Sequence, residues 1–219
     1  ALNGQRNKCI CLEFLNNSEA LCLFGTTDMS SFDDALEFRF KADTTWADAH
    51  EDDKAAVTRL WNWIDSCKDD PAKFLAEYNQ YFGNDSPFAW YLITDYFMAV
   101  DNRAKNMMLA TWDSLIWYFL PYDMDTLFGV RNDSVLKYEY TITHESFDDS
   151  IGSYAFAGHD SVLWELVRSC PDKLREVAET LRSNMSLEYV LQVFNEEQMG
   201  NWCERIYTVS YTHLRAHET

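Results

Sequence analysis

The chain has 219 residues, 47% of them hydrophobic and 16% aromatic, which excludes a disordered tail and suffices for one domain with a real core. Its 36 acidic residues against 18 basic ones leave a formal net charge of −18. That balance speaks against non-specific nucleic-acid binding and against docking on an anionic membrane, both of which need clustered Lys and Arg.

Residues 1–8 lack the charged, apolar and small-residue order of a signal peptide, and the chain opens on Ala1, so it reads as a fragment whose start lies upstream. The first strand is expected at 9–14, the second at 20–25 and a third at 36–40, with the turn-rich Asn16-Asn17-Ser18 between the first two. Cys9 and Cys11 then share one strand face. The six cysteines form no C-x-x-C pair and have no His at zinc spacing, so they read as small buried hydrophobes in a reducing compartment rather than disulfides or metal ligands.

The polar stretch 44–53 reads as a surface loop, its acidic run 48–53 as a solvated face. Helical periodicity begins near Asp53, a candidate N-cap, with Ala56, Leu60, Trp61 and Ile64 on one stripe. Pro71 opens a second helix with Phe74, Leu75, Tyr78 and Phe82 inward. Ser86 and Pro87 are an N-cap and a first helical residue. The helix 88–100 that follows is apolar on most sides, as a buried central helix is. Its Asp95 interrupts the longest apolar run in the chain, which falls short of the roughly 20 residues that span a bilayer.

Asp101-Asn102-Arg103 favours a loop. Two apolar strands are expected at 107–112 and 115–120, joined through Asp113-Ser114 as a two-residue hairpin turn. Pro121 ends the second strand, and Tyr122-Asp123-Met124-Asp125 follows. The stretch 131–156 is polar and turn-rich, and His144 and His159 read as surface residues. Helices are expected at about 161–168, 171–182, 186–194 and 196–206. The end, 209–219, resembles a translated adapter or vector tail and is set aside from the domain at 1–208.

The hairpin should return 121–123 to the neighbourhood of 105–107. That would gather Asp101, Asn106, Asp123 and Asp125, which are separated in sequence. Phosphoryl transfer uses such a set: one carboxylate to orient a hydroxyl and take its proton, with a carboxylate and an amide oxygen to hold Mg²⁺. Protein kinases order these groups as Asp-x-x-x-x-Asn, a β-hairpin, then a metal-binding Asp, and Asp101, Asn106, the hairpin and Asp123 follow that order. Bland readings stand beside this one. Asp101 can end a helix and bond its own loop, and Asp123 and Asp125 can be solvated turn carboxylates. Arg103 and Lys105 either bind phosphate or substrate anions, or neutralise the three carboxylates. Asp-x-Asp also serves nucleases, against which the net charge argues, and metal-dependent sugar transferases, which need a parallel sheet not visible here.

The segment 101–129 resembles the catalytic core of the CotH family, spore-coat protein kinases with an atypical kinase fold. The strongest match is Pro121-Tyr122-Asp123-Met124-Asp125-Thr126-Leu127-Phe128-Gly129. The resemblance implies an α+β, kinase-like fold, mostly the helical C-terminal lobe, with a central catalytic hairpin and a few N-terminal strands. It implies Asp101 as catalytic base and Asn106, Asp123 and Asp125 as ligands of Mg²⁺ or Mn²⁺. It also implies ATP as phosphoryl donor and a protein substrate. With 13–40 and 158–168 included, the chain is most similar to CotH-like structural or tail-associated proteins of gut tailed phages and prophages. That implies a virion or host-cytoplasm setting, with virion proteins as partners and a fold that can be kept without turnover. The spore coat is the alternative setting.

Kinase-like folds carry the ATP-covering loop and a phosphate-binding Lys in an N-terminal lobe. No Gly-rich run occurs here, and only Lys8 and Lys41 stand as default candidates for that Lys. The expected reason is that the N-terminal lobe is incomplete in this stretch of chain.

Overall fold

The structure, a computed structural model, describes residues 8–14, 36–39, 44–97, 99, 102, 107–124, 162–184, 186, 188, 189 and 192. Its strands are β1 (Ile10–Phe14), β2 (Leu36–Arg39), β3 (Thr44–Thr45), β4 (Met107–Thr111) and β5 (Trp117–Pro121). They form one antiparallel sheet in the order β3-β2-β1-β4-β5. Strand alternation sends Ile10, Leu12, Phe14, Leu36, Phe38, Met107, Leu109, Trp117 and Phe119 to a buried face. On the other face Glu13 lies opposite Glu37, a repulsive pairing offset by Arg39, whose Nε donates to the Glu13 carboxylate. Cys11 lies on this second face, its Sγ 3.7 Å from Met108 Sδ, while Cys9, one residue before β1, is exposed rather than buried and its thiol lies 3.7 Å from the Trp112 carbonyl.

The helices are α1 (Glu51–Ser66), α2 (Pro71–Glu77), α3 (Ser86–Tyr96), α4 (Val162–Arg168) and α5 (Pro171–Asn184). Mixed helix and antiparallel sheet is the α+β class expected from sequence. In α1 the residues Ala56, Val57, Leu60, Trp61 and Ile64 are buried as their spacing predicts, and Phe14 stacks on Trp61 at 6.2 Å. Its cap is not Asp53 but His50, whose Nδ1 accepts the Asp52 N–H at 3.2 Å; Asp53 is buried in the first turn. The stretch expected as a loop therefore holds β3 and the helix start.

Asp70 caps α2 by accepting the Lys73 N–H at 3.0 Å, with Pro71 where its missing N–H costs nothing. A 3₁₀ turn, Tyr78–Gln80, follows. Phe74, Tyr78 and Phe82 are buried, but Leu75 is 42% exposed, against expectation. Trp63 stacks flat on Tyr81 at 4.1 Å and donates its indole N–H to Glu77 at 3.0 Å. α4 buries Leu163, Trp164, Leu166 and Val167, with Trp164 5.4 Å from Phe119.

α3 begins at Ser86, with Asp85 rather than Ser86 in the cap position, and ends four residues before the predicted Val100. It is buried on one side only: Phe88, Trp90 and Thr94 are inside and Tyr96 is 81% exposed, so it flanks the sheet rather than filling the core. The hairpin strands end at Thr111 and restart at Trp117, so the connection spans five residues rather than two. Asp113 explains the difference. Its carboxylate accepts the N–H groups of Leu115 and Ile116 at 2.8 and 2.9 Å and organises a longer loop.

The chain divides into two compact units, 1–177 and 178–219, the boundary falling within α5. In the second unit Ser183 Oγ donates to the Glu179 carbonyl at 2.8 Å, and the Tyr189 N–H to Ser186 Oγ at 3.1 Å. The predicted strand 20–25, the loop 131–156, the helix 196–206 and the tail 209–219 lie outside the described residues, and the helix 186–194 is described only at 186, 188, 189 and 192.

Candidate functional site

The site is assembled where α3 ends and β5 ends. The register places Met107 opposite Pro121, as the predicted hairpin return requires. Pro121 lacks an N–H and stops the edge strand. Asp123 follows in the left-handed region, φ 48°, which Asp tolerates better than most residues, and it is exposed.

At the end of α3 the buried Thr94 hydroxyl donates to the Trp90 carbonyl at 2.8 Å, and the Ala99 N–H to the Thr94 carbonyl at 2.8 Å. Asn102 is fully buried. Its N–H donates to the Ala99 carbonyl at 3.2 Å, and its own carbonyl accepts the Trp90 indole N–H at 2.8 Å. Its side-chain Nδ2 donates to the Tyr122 carbonyl at 2.9 Å. The residue after Asp101 in sequence is thus joined to the residue before Asp123. Sequence reasoning missed this role, having read Asn102 only as a loop former.

Of the six predicted site residues, Asp123 is described. Asp101, Arg103, Lys105, Asn106 and Asp125 lie outside the described residues. Among the described residues no group of three His, Cys, Asp or Glu could hold a metal ion. The donor set expected from sequence, two carboxylates and an amide, consists of hard oxygen ligands, the chemistry that suits Mg²⁺ or Mn²⁺. One default candidate for phosphate binding is displaced: the Lys8 carbonyl accepts the Ser114 hydroxyl at 2.9 Å at the hairpin tip. Asp123 lies beyond the other end of β5, and a strand of five residues spans about 15 Å. Lys41 lies outside the described residues.

β5 is an edge strand, and an open cleft of about 910 Å³ runs along its outer edge. α3 supplies one wall through Ala89, Trp90 and Ile93, and β5 another through Tyr118 and Leu120. Pro121 and Met124, which flank Tyr122-Asp123, line it as well, and so do Trp112, Asp113 and Ile116 of the hairpin loop. Gly83 lines it too: a Cβ there would come within 2.4 Å of the Tyr118 ring, so only glycine allows the ring its place. Burial pushes the Asp113 carboxyl up, but the N–H donors of Ile116 and Leu115 and the Thr111 hydroxyl outweigh this and hold it below the usual carboxylate value.

A second polar cluster stands at the start of α3. Asp85, at φ 55°, accepts the Tyr78 hydroxyl on one oxygen and the Lys173 ammonium at 3.1 Å on the other. Burial together with the bond to Asp85 raises the Tyr78 pKa. Lys173 loses by burial and gains more from Glu176 and Asp85, so it stays charged beyond its ordinary range.

No helix among the described residues is long and apolar enough to cross a membrane. Residues 13–210 match the family model described as CotH kinase protein. No curated protein matches the chain.

Proposed function

The chain belongs to the CotH kinase protein family, and from that premise we propose that it is a divalent-metal-dependent phosphotransferase that moves the γ-phosphate of ATP to a protein hydroxyl. In this reading Asp101 orients the acceptor hydroxyl and takes its proton as the oxygen attacks the γ-phosphorus. The bond to the bridging oxygen breaks, and ADP leaves. Asn106, Asp123 and Asp125 would hold Mg²⁺ or Mn²⁺, which would supply charge neutralisation at the phosphates. Arg103 and Lys105 carry the remaining phosphate charge.

The observation that supports this reading is the 2.9 Å bond from Asn102 Nδ2 to the Tyr122 carbonyl. It joins the sequence neighbours of Asp101 and Asp123 through a buried amide, a rigid linkage of the kind a metal-bridged site needs. The likeness of 13–40 and 158–168 to phage and prophage proteins supports a virion or host-cell setting, with a virion protein as acceptor.

The test is transfer of labelled γ-phosphate from Mg-ATP to a Ser/Thr-containing protein mixture and to the chain itself. Asp101→Asn and Asp123→Ala should each abolish transfer while leaving the far-UV circular dichroism of the folded chain unchanged. Transfer that survives either change, or wild-type protein that neither binds Mg-ATP nor transfers phosphate, would leave a kinase-like scaffold without turnover.

A further inference from the structure

We infer that the cleft along the outer edge of β5 is the subsite for an apolar segment of the acceptor polypeptide, next to the hydroxyl that receives phosphate; this rests on the phosphotransfer reading above. The first ground is position. The cleft lining includes Pro121 and Met124, the residues on either side of Tyr122-Asp123. A chain lying in it presents its next residue at the Asp123 turn.

The second ground is chemistry. No Lys, Arg or His is among the described residues that line the cleft, so these residues offer no cation to a triphosphate. Several of its polar groups are engaged inside the protein. The Gly83 N–H donates to the Trp117 carbonyl at 3.1 Å, and Ser86 Oγ accepts the Phe119 N–H at 2.8 Å. The Trp90 indole N–H is spent on the Asn102 carbonyl, and Asp113 Oδ1 on the loop it organises. A nucleobase is selected by hydrogen bonds to its edges, which these engaged groups do not supply. Ile93, Phe97, Tyr118, Leu120 and Met124 instead offer hydrocarbon and ring surface. A cleft of about 910 Å³ takes several side chains rather than one.

The third ground is the build of the walls. Trp90 stacks on Phe119 at 5.7 Å and 12°, and Tyr118 is backed by Gly83, so these rings are held in place before anything binds.

The experiment uses the full chain without nucleotide and two labelled ten-residue peptides. One carries a Ser preceded by Leu and Phe; in the other these are replaced by Gly and Ser. Fluorescence anisotropy should show the apolar peptide binding and the polar one at least about tenfold weaker. Ile93→Glu, on the cleft wall, should weaken the apolar peptide about tenfold or more. Leu75→Glu, on an exposed position of α2 away from the cleft lining, should not change it. If Ile93→Glu fails to fold, Leu120→Gln takes its place with the same expectation. Equal binding of both peptides, no binding of either, or an Ile93→Glu protein that binds as wild type overturns the inference. So does displacement of the apolar peptide by adenosine, which would make the cleft a nucleoside site. Mg-ATP binding measured on the same preparation separates the two readings: peptide binding without Mg-ATP binding removes the phosphotransfer reading, and Mg-ATP binding without peptide binding removes only this one.

Discussion

The side-chain amide of Asn102 and the backbone carbonyl of Tyr122 meet at 2.9 Å, and this one bond ties the exit of α3 to the exit of β5. Asn102 is fully buried, so truncating its side chain removes this bond and leaves a void where the amide packed. Asn102→Ala is expected to destabilise the fold by about 1–3 kcal/mol in urea titration. It should also lower phosphate transfer, and Asn102→Asp should do the same, because its carboxylate keeps the volume but repels the Tyr122 carbonyl. Equal activity of Asn102→Ala and wild type would detach the bond from function.

Gly83 and Tyr118 form a pair that can be tested as one. A Cβ on residue 83 would lie 2.4 Å from the Tyr118 ring, so Gly83→Ala must displace the ring or the backbone and should cost about 1–3 kcal/mol. In Tyr118→Ala that obstacle is gone. The double variant should lose clearly less than the sum of the singles, a coupling readable from denaturant midpoints. Additive losses would mean that the glycine is needed for some other reason.

Asp113 gives a pH signature. Its carboxyl is held below the usual value by the hairpin loop, so it contributes stability that is present above the unfolded value near 4 and lost as pH falls through the folded one. Asp113→Ala should cost about 1 kcal/mol at pH 7, modest because the residue is exposed. The gap between variant and wild type should close as pH drops below about 4. A gap that stays constant down to pH 3 would show that the carboxylate charge is not what the loop uses.

At the other end of α3, Lys173 bridges Asp85 and Glu176 at 3.1 and 2.8 Å with its side chain 14% exposed. Lys173→Met should cost about 1–3 kcal/mol, less than a fully buried pair because Asp85 is 36% exposed. Asp85→Asn made in the Lys173→Met background should restore part of the loss, since it removes the carboxylate left without its cation. Thermal melts of the three proteins decide it; no recovery would mean that the Tyr78 hydroxyl alone holds Asp85.

Much of the sheet was legible because strand alternation is a short-range signal. Leu12, Phe14, Leu36 and Phe38 point inward as the pattern requires, and the hairpin return of Pro121 to Met107 followed from the two apolar runs. The errors share a cause: choices among competing local partners depend on tertiary context. His50 takes the α1 cap because Asp53 is drawn inside. Ser86 does not cap α3, because its hydroxyl is taken by the Phe119 N–H from β5. The short α3 with its exposed Tyr96 could not be told from a central helix, since composition does not say which side of a helix meets the sheet. The position of Asp123 just past a strand ended by proline was legible. Asn102 was not, because a buried amide and a turn-forming one look alike in sequence. The β5 cleft was not either, since its walls come from elements distant in the chain.

The central claim is that Asp123, with partners from the Asp101–Asn106 stretch, holds a divalent ion against ATP. Electron paramagnetic resonance of Mn²⁺ titrated into the full chain with ATP tests it most directly. The account predicts one saturable Mn-ATP site in the wild type that is lost in Asp123→Ala and kept in Asp113→Ala, whose carboxylate sits at the far end of the hairpin. Mn²⁺ taken up equally by Asp123→Ala and wild type would contradict it.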